Sequence, residues 1–238
     1  MPLTPKRVLR QFRYAMYFNG VNNYVKINDV PQLNNSLEAT FIYWVYYINP
    51  SDYDLSGYIK RDYGPAIRFG RTSNGQVFIN PGTHTDIYIN YILNPSYWYY
   101  LALVIRCGVS WYVYVNVSYI ASGTNGLPSY IETGAPWGIG ATIEFGNIRY
   151  YVSGYIPYVF IYSRALSDSE IQFNYQNPDK PIRNGLVLWL QADPQYIKDI
   201  DNDGILEWID LSGYNNHGKI YGAQLVQLIK TPSRVLKL

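Results

Sequence analysis

The chain has 238 residues, of which 48% are hydrophobic and only 15% are charged, and its formal net charge is +2. This composition excludes a mainly disordered chain, and so small a charge gives no support to binding of nucleic acid or an anionic membrane. No stretch reaches the roughly 18 apolar residues of a membrane span, and the basic N-terminal segment lacks the apolar core and cleavage site of a secretory signal.

Apolar and polar residues alternate in many segments, and this period of two predicts β-strands. In residues 110–121, Trp111, Val113 and Val115 would share one dry face, while Tyr112 and Tyr114 would take the other. Similar segments bounded by turn residues are ATFIYWVYYINP, QVFINPG, TDIYINYILNP, YWYYLALVIRCG and GYIPYVFIYSR. Many such strands without a long helical pattern predict an all-β sandwich or barrel.

One short helix is predicted after the last of these strands. Ser167 is a suitable N-cap, and Glu170 three residues later completes a capping box. Asp168 adds a negative charge at the helix start, and Pro178 ends the helix. Residues 177–185 then read as a linker.

Three stretches resemble the laminin-G-like, concanavalin A-like lectin/glucanase family. They are AMYFNGVNNYVKI (15–27), WYYLALVIRCGVSWYVYVNVSYIA (98–121) and GYIPYVFIYSRALSDSEI (154–171). The resemblance implies a concanavalin A-like jelly-roll sandwich of two antiparallel sheets with one short helix. Residues 1–178 would form its body.

The last part of the chain, residues 179–238, resembles the beginning of the same family domain. GLVLWLQAD and DLSGYNNHGKIYGA are similar to the family's first strand and to a following loop. We therefore expect these strands to complete either the same sandwich, as a permuted domain, or a neighbouring one. TPKRVL (4–9) and TPSRVL (231–236) also echo each other, and we expect the latter to contact another copy or a particle component.

Two departures from the family pattern concern ligands and glycosylation. Asn19, Asn22 and Asn23 stand where the family has acids, so this loop would hold a cation less well than a relative's. Asn34 and Asn116 begin glycosylation sequons of a kind that also arises by chance, and Asn116 stands at the family's usual hairpin turn.

The strongest chemical motif is DIDNDGILEWID, residues 199–210. Its spacing matches the oxygen-donor positions of an EF-hand-type loop, with Gly204 at the sharp turn. We expect one Ca²⁺, with ligands from Asp199, Asp201, Asp203, the backbone carbonyl of Ile205, Glu207 and Asp210. The alternative is an acidic, solvated turn.

No catalytic residue is assigned from the sequence. Glu38, Glu132 and Glu144 are isolated, and His84 and His217 lie far apart without a metal-ligand pattern. GYNNHGK (213–219) imitates a phosphate loop but lacks the following Ser or Thr. The lone cysteine, Cys107, reads as a small core residue.

These observations favour a non-enzymatic structural or surface protein over an enzyme. Its 27 tyrosines and single cysteine resemble the composition of proteins from viruses of hyperthermophilic archaea. We therefore expect a virion subunit of a capsid, turret or filament, which assembles with itself or other particle subunits at a virion or extracellular surface. The alternative is a carbohydrate-binding adhesion module that recognises host glycans, for which no binding residue is assigned. A glycoside hydrolase is the most distant possibility.

Overall fold

A computed structural model describes residues 12–49, 53–59, 66–83, 85–125, 127–131 and 135–228. The echoed hexapeptides at 4–9 and 231–236, His84 and Glu132 lie outside these residues.

The described residues contain twenty strands and one α-helix. In chain order they are β1 (Tyr14–Asn19), β2 (Tyr24–Ile27), β3 (Glu38–Tyr47), β4 (Tyr53–Ile59), β5 (Ala66–Arg71), β6 (Gln76–Thr83), β7 (Ile87–Ile92), β8 (Trp98–Arg106), β9 (Ser110–Val115), β10 (Ser118–Gly123), β11 (Trp137–Ile139), β12 (Thr142–Glu144), β13 (Asn147–Arg149), β14 (Ser153–Ile156), β15 (Tyr158–Tyr162), α1 (Asp168–Gln176), β16 (Leu186–Gln191), β17 (Ile197–Lys198), β18 (Glu207–Trp208), β19 (Gly218–Tyr221) and β20 (Gln224–Gln227). Short 3₁₀ turns occur at Pro31–Leu33 and Pro194–Tyr196.

These strands form two sheets. The first sheet has the order β10-β9-β8-β3-β14-β1-β20, and β15 and β16 extend it beside β3. The second sheet has the order β17-β18-β19-β2-β11-β4-β5-β6-β7, and the β12–β13 hairpin attaches to β4. Apart from β12 with β4, the paired strands run antiparallel. The predicted all-β sandwich of two antiparallel sheets with one helix is confirmed.

The main core lies between the sheets, and a second core lies on the outer face of the first sheet. Phe41 of β3 stacks on Trp137 of β11 in the main core. On the other side of β3, the buried Trp44 stacks on Tyr175 of α1, with ring centroids 5.1 Å apart. Because both of its faces are covered, the first sheet has nearly continuous apolar strands rather than strictly alternating ones.

The single strand expected over residues 110–121 is wrong, because a hairpin forms there. β9 and β10 meet at a two-residue turn, Asn116–Val117, whose φ angles are +51° and +63°. Two residues in this left-handed region are typical of the turn that matches the twist of paired strands. Tyr114 is buried rather than solvent-exposed, because the second core covers this face of the sheet.

The predicted helix and its capping box are confirmed. The Ser167 side chain accepts from the amide of Glu170, and the Glu170 carboxylate accepts from the amide of Ser167. Glu170 also receives two hydrogen bonds from Arg164, at 2.5 and 2.9 Å. These bonds lower the pKa of Glu170 to about 2. The helix ends at Gln176, just before Pro178.

The C-terminal strands pair with strands of the body in both sheets. β16 lies antiparallel to β15, while β1 lies antiparallel to β14. Because β14 and β15 are consecutive in the chain, their partners β1 and β16 lie one after the other along the same part of the first sheet. β19 pairs with β2 in the second sheet, and β20 pairs with β1 in the first. The division of the chain at residue 178 stays a prediction.

Candidate functional site

Three of the predicted calcium ligands come together in the loop between β17 and β18. One carboxylate oxygen each from Asp199, Asp201 and Asp203 lies within 4.8 Å of the others. Asp201 and Asp203 are exposed, whereas Asp199 is half-buried. Asp199 Oδ1 is shielded from solvent and accepts no hydrogen bond within the described part of the chain. A shielded oxygen beside two other carboxylates is suited to a hard cation.

Backbone hydrogen bonds hold this loop in shape. The amide of Gly204 donates to Asp199 Oδ2 at 3.0 Å, and the amide of Ile205 donates to Asp203 Oδ1 at 2.9 Å. Gly204 has a φ of +84°, which glycine adopts without steric cost. The glycine that the motif places at the sharp turn is thus in the conformation such a turn requires.

A lysine from a neighbouring strand supplies positive charge to the acidic loop. Lys219 Nζ lies 2.7 Å from Asp201 Oδ2 and also contacts Asp203 Oδ2. The hydrogen bond from Lys219 is the main reason why the pKa of Asp203 is lowered. Three carboxylates and one ammonium group leave a formal charge of −2 in this cluster (−3 + 1), so the lysine neutralises it only in part.

Asp210 does not join the acidic cluster, although the motif places it at the last ligand position. It is buried, and its Oδ1 accepts from the amides of Trp189 and Ser212. Its Oδ2 accepts from the Ser212 hydroxyl at 2.6 Å and the Asn216 amide at 3.0 Å. With four donors already bound, this carboxylate organises the loop between β18 and β19 instead of facing the cluster.

Glu207 is not part of the group of carboxylates whose oxygens lie within 4.8 Å of one another. It is buried, and its Oε2 accepts from the amide of Ile200 at 3.1 Å.

The sequence contained a signal for the role of Asp210, because this residue begins the DLSGYNNHG motif as well as ending the acidic one. Only one of these two uses is compatible with its hydrogen bonds.

The family loop at Asn19 is closed by amide groups. Asn19 Oδ1 accepts from the amides of Val21, Asn22 and Asn23 at 2.9–3.2 Å. Asn22 Oδ1 accepts from the side-chain nitrogens of both Asn19 and Asn23. Carboxylates at these positions would repel each other and require a cation, whereas amides bind each other directly.

A second candidate site, which the sequence did not reveal, lies on the outer face of the second sheet. Arg68 of β5 is held between two aromatic rings, 5.0 Å from the Phe78 centroid and 4.7 Å from the Tyr150 centroid. Its Nη1 donates to Asp86 at 2.6 Å, and Asp86 also accepts from the buried Asn80 at 3.2 Å. This network fixes the position of the Tyr150 ring.

Tyr150 and Tyr88 present aromatic surface to solvent beside this network. They are 38% and 59% exposed. Tyr88 lies directly opposite Phe78 in the β6–β7 ladder, and Asn90 lies beside it on the same outward face. Tyr150 has a φ of +58°, a rare conformation for a bulky residue that often marks functional sites. We call Tyr88, Asn90, Tyr150 and the Arg68 network the aromatic face.

The other acids and the cysteine occupy separate positions. Glu38, at the start of β3 in the first sheet, pairs with Arg106, and Glu144, at the end of β12 in the second sheet, pairs with Arg149. Partial burial raises the pKa of Cys107 to about 11, so its thiol is protonated at neutral pH.

The chain belongs to a known superfamily. The family model described as concanavalin A-like lectin/glucanases matches residues 19–172, which is more than half of the sequence. No curated protein was found to match the chain. No helix among the described residues is both long and apolar enough to cross a membrane.

Several solved structures share the fold. A candidate carbohydrate-binding protein from Bacteroides ovatus superposes with a TM-score of 0.70 at 14% identity, over 93% of this chain and 61% of its own. This chain thus spans less than two thirds of that protein.

Two modules that were solved with bound sugars also share the fold. Domain 4 of AbnA, an extracellular arabinanase from Geobacillus stearothermophilus, was solved with arabinotriose and has a TM-score of 0.52 at 18% identity, over 67% of this chain and 75% of its own. The CBM40 of the Ruminococcus gnavus IT-sialidase, bound to α2,3-sialyllactose, has a TM-score of 0.51 at 14% identity, over 65% of this chain and 94% of its own. At such identities the likeness establishes the fold.

Proposed function

We propose that this protein is a non-catalytic carbohydrate-binding module and that the aromatic face is its binding surface. The observation that carries the proposal is the pair of exposed rings, Tyr88 and Tyr150, beside the Arg68 network on the outer face of the second sheet. Three structural relatives support it, because two were solved with bound sugars and one is a candidate carbohydrate binder.

The chemistry of the aromatic face suits a sugar. A sugar ring has an apolar C–H face and a rim of hydroxyl groups, so it needs flat aromatic surface together with oriented polar groups. The Tyr150 ring is held in place by Arg68, and the exposed Asn90 amide lies next to Tyr88. A fixed ring loses little entropy when a ligand stacks on it.

A glycan array with the full-length protein tests this function. We expect reproducible binding to a defined group of glycans and a loss of about tenfold or more in affinity for Tyr150→Ala and for Tyr88→Ala. Tyr119→Ala is the matched control, because Tyr119 is 55% exposed but lies on β10 of the first sheet. An array without binding, or equal binding by all three variants, contradicts the proposal.

The expected virion subunit is a different function, and none of the structural relatives named above is a virion protein. It stays a prediction that negative-stain electron microscopy of the purified protein would test, since a capsid or filament subunit should form regular particles. For the binding module we propose an extracellular location, because AbnA is an extracellular arabinanase.

We also propose that the acidic loop binds one Ca²⁺. The three carboxylates of Asp199, Asp201 and Asp203, with the shielded Asp199 oxygen, fit a hard divalent cation. The bound ion would fix the loop and neutralise its remaining negative charge. Glu207 and Asp210, which lie outside this group of three, are not part of the proposed ligand set.

A further inference from the structure

The pairing of β2 with β19 brings two lysines and two tyrosines into direct register. Lys26 lies opposite Lys219, and Tyr24 lies opposite Tyr221. Val25, between Tyr24 and Lys26, is buried in the main core, so the tyrosine and lysine side chains point to the outer face of the second sheet. β2 belongs to the body and β19 to the C-terminal segment, so this cluster exists only where the two parts meet.

The two lysines of this cluster differ in their ion-pair partners. Like charges directly opposite each other destabilise a sheet. Lys219 turns to Asp201 and Asp203, but Lys26 has no ion pair among the residues that the structure describes. Lys26 is also half-buried, which makes an uncompensated positive charge more costly than it would be on an open surface. An anionic group placed beside Lys26 would supply the ion-pair partner that this lysine lacks within the described ranges.

The tyrosines place a pair of stacked rings next to the lysine. The Tyr24 and Tyr221 rings stack with centroids 4.7 Å apart and an interplanar angle of 11°, and Tyr151 lies 6.5 Å from Tyr24. Burial and then the nearby hydroxyls of Tyr221 and Tyr151 raise the pKa of Tyr24. Its hydroxyl therefore remains a hydrogen-bond donor well above neutral pH.

The cluster is continuous with the aromatic face. Tyr150 contacts Arg68 on one side, while the next residue, Tyr151, contacts Tyr24 on the other. Both lie just after β13, whose hairpin with β12 is attached to β4 of the second sheet. One ligand could therefore reach from Tyr88 on β7 to Tyr221 on β19, a distance of six strand spacings or about 29 Å.

We propose that the protein binds an acidic oligosaccharide chain, whose carboxylate or sulfate group pairs with Lys26 while its rings lie on Tyr24–Tyr221 and on the aromatic face. This inference rests on the proposed function and specifies its ligand class. The span of the surface favours several linked sugars over a single terminal one. Because Lys26 and the two tyrosines lie where β2 of the body pairs with β19, binding depends on the docked C-terminal segment.

The test uses full-length protein on an array of neutral, carboxylated and sulfated oligosaccharides of increasing length. We expect the strongest signals from acidic chains of several sugars, with affinity that falls as salt is raised. Lys26→Met should lower affinity for the acidic chains by about tenfold, and Lys26→Arg should retain it. Lys180→Met, at an exposed lysine of the linker, is the matched control.

The outcomes separate this inference from the proposed function. If acidic and neutral chains bind equally and Lys26→Met changes nothing, while Tyr150→Ala abolishes binding, the acidic ligand is wrong and the carbohydrate function stands. Preference for single terminal sugars equally overturns the extended chain. If no glycan of any class binds, both proposals fail. Unchanged melting temperatures of the variants would show that lost binding does not reflect unfolding.

Discussion

At the scale of single residues, Lys219 determines how much positive charge the acidic loop still requires. Its ammonium group contacts two of the three clustered carboxylates and thus competes for the oxygens that a cation would use. Since Lys219 is also the cross-strand partner of Lys26, one side chain connects the acidic loop with the outer face of the second sheet.

Calcium should stabilise the folded protein by mass action, because the unfolded chain lacks the assembled site. With Ca²⁺ at 100 times its dissociation constant, we expect the melting temperature to rise by roughly 5 to 10 °C. Asp203→Ala should abolish this rise. Lys219→Met should enlarge it, because the competing ammonium group is removed. Differential scanning calorimetry with calcium and with a chelator measures the effect.

Magnesium at the same concentration is a control for general ionic effects, since it prefers a smaller, octahedral site. A melting temperature that is equal with calcium and chelator in both the parent protein and Lys219→Met, together with no calcium-binding heat by titration calorimetry, would rule out the site. The loop would then be a solvated acidic turn that Lys219 alone neutralises.

At the scale of elements, tyrosine hydroxyls attach α1 and the linker to the first sheet. Tyr100 donates to the carbonyl of Ile171, and Tyr114 donates to the Asp168 carboxylate at 2.7 Å. Tyr162 donates to the carbonyl of Ile182 in the linker. Part of the tyrosine content therefore has a structural explanation, because a buried tyrosine needs a partner for its hydroxyl.

Removing the N-cap of α1 should reduce stability without affecting ligand binding. Ser167→Ala deletes the acceptor for the Glu170 amide, and we expect it to cost about 1 kcal/mol. The melting temperature should fall by roughly 2 to 4 °C for a chain of this size. Ser169→Ala, at an exposed serine two residues later, should have a much smaller effect. Equal stability of Ser167→Ala and the parent would mean that the Arg164–Glu170 pair alone holds the helix start.

The elements differ in how far the sequence determines them. The capping box was predictable because its hydrogen bonds join residues three apart, and local spacing is visible in a sequence. The turn at Asn116–Val117 was visible in the family resemblance but not in the alternation pattern, because its strands alternate without interruption and valine rarely adopts a positive φ. Asn116 favours this turn by a long-range bond, as its Oδ1 accepts from the Tyr100 amide. Its side chain is buried, so the sequon there is inaccessible in the folded protein.

The candidate sites show the same contrast. Asp199, Asp201 and Asp203 belong to one short loop, so their spacing predicted their proximity. The aromatic face combines β5, β6 and β7 with Tyr150 from beyond β13, and only the folded sheet brings these residues together. Asp210 is intermediate, because the sequence offered two roles for it and the burial of its carboxylate decides between them.

At the scale of the whole molecule, the sandwich depends on strands that come late in the chain. Leu188 and Leu190 of β16 and Trp208 of β18 are fully buried in the main core. Each large core side chain that is lost typically costs about 2 to 5 kcal/mol, whereas a domain's entire stability is about 5 to 15 kcal/mol. Loss of these three residues alone would therefore remove most or all of the stability of the body.

Deleting residues 184–238 should consequently leave a body that is unfolded or insoluble, because it also exposes the edges of β15, β1 and β2. Co-expression of 184–238 as a separate chain should restore a soluble complex, since the missing strands can then pair. Deleting only residues 229–238 is the control, because this variant keeps β16 to β20 and all of their described pairings. Light scattering of the full chain distinguishes the two ways in which the sandwich can be completed. A monomer means that the C-terminal strands complete their own sandwich, and a chain-like oligomer means that they enter a neighbour's. A 1–183 fragment that is monomeric and as heat-resistant as the full chain would contradict both arrangements, because the body would then not need the C-terminal strands. The C-terminal segment would be an independent unit.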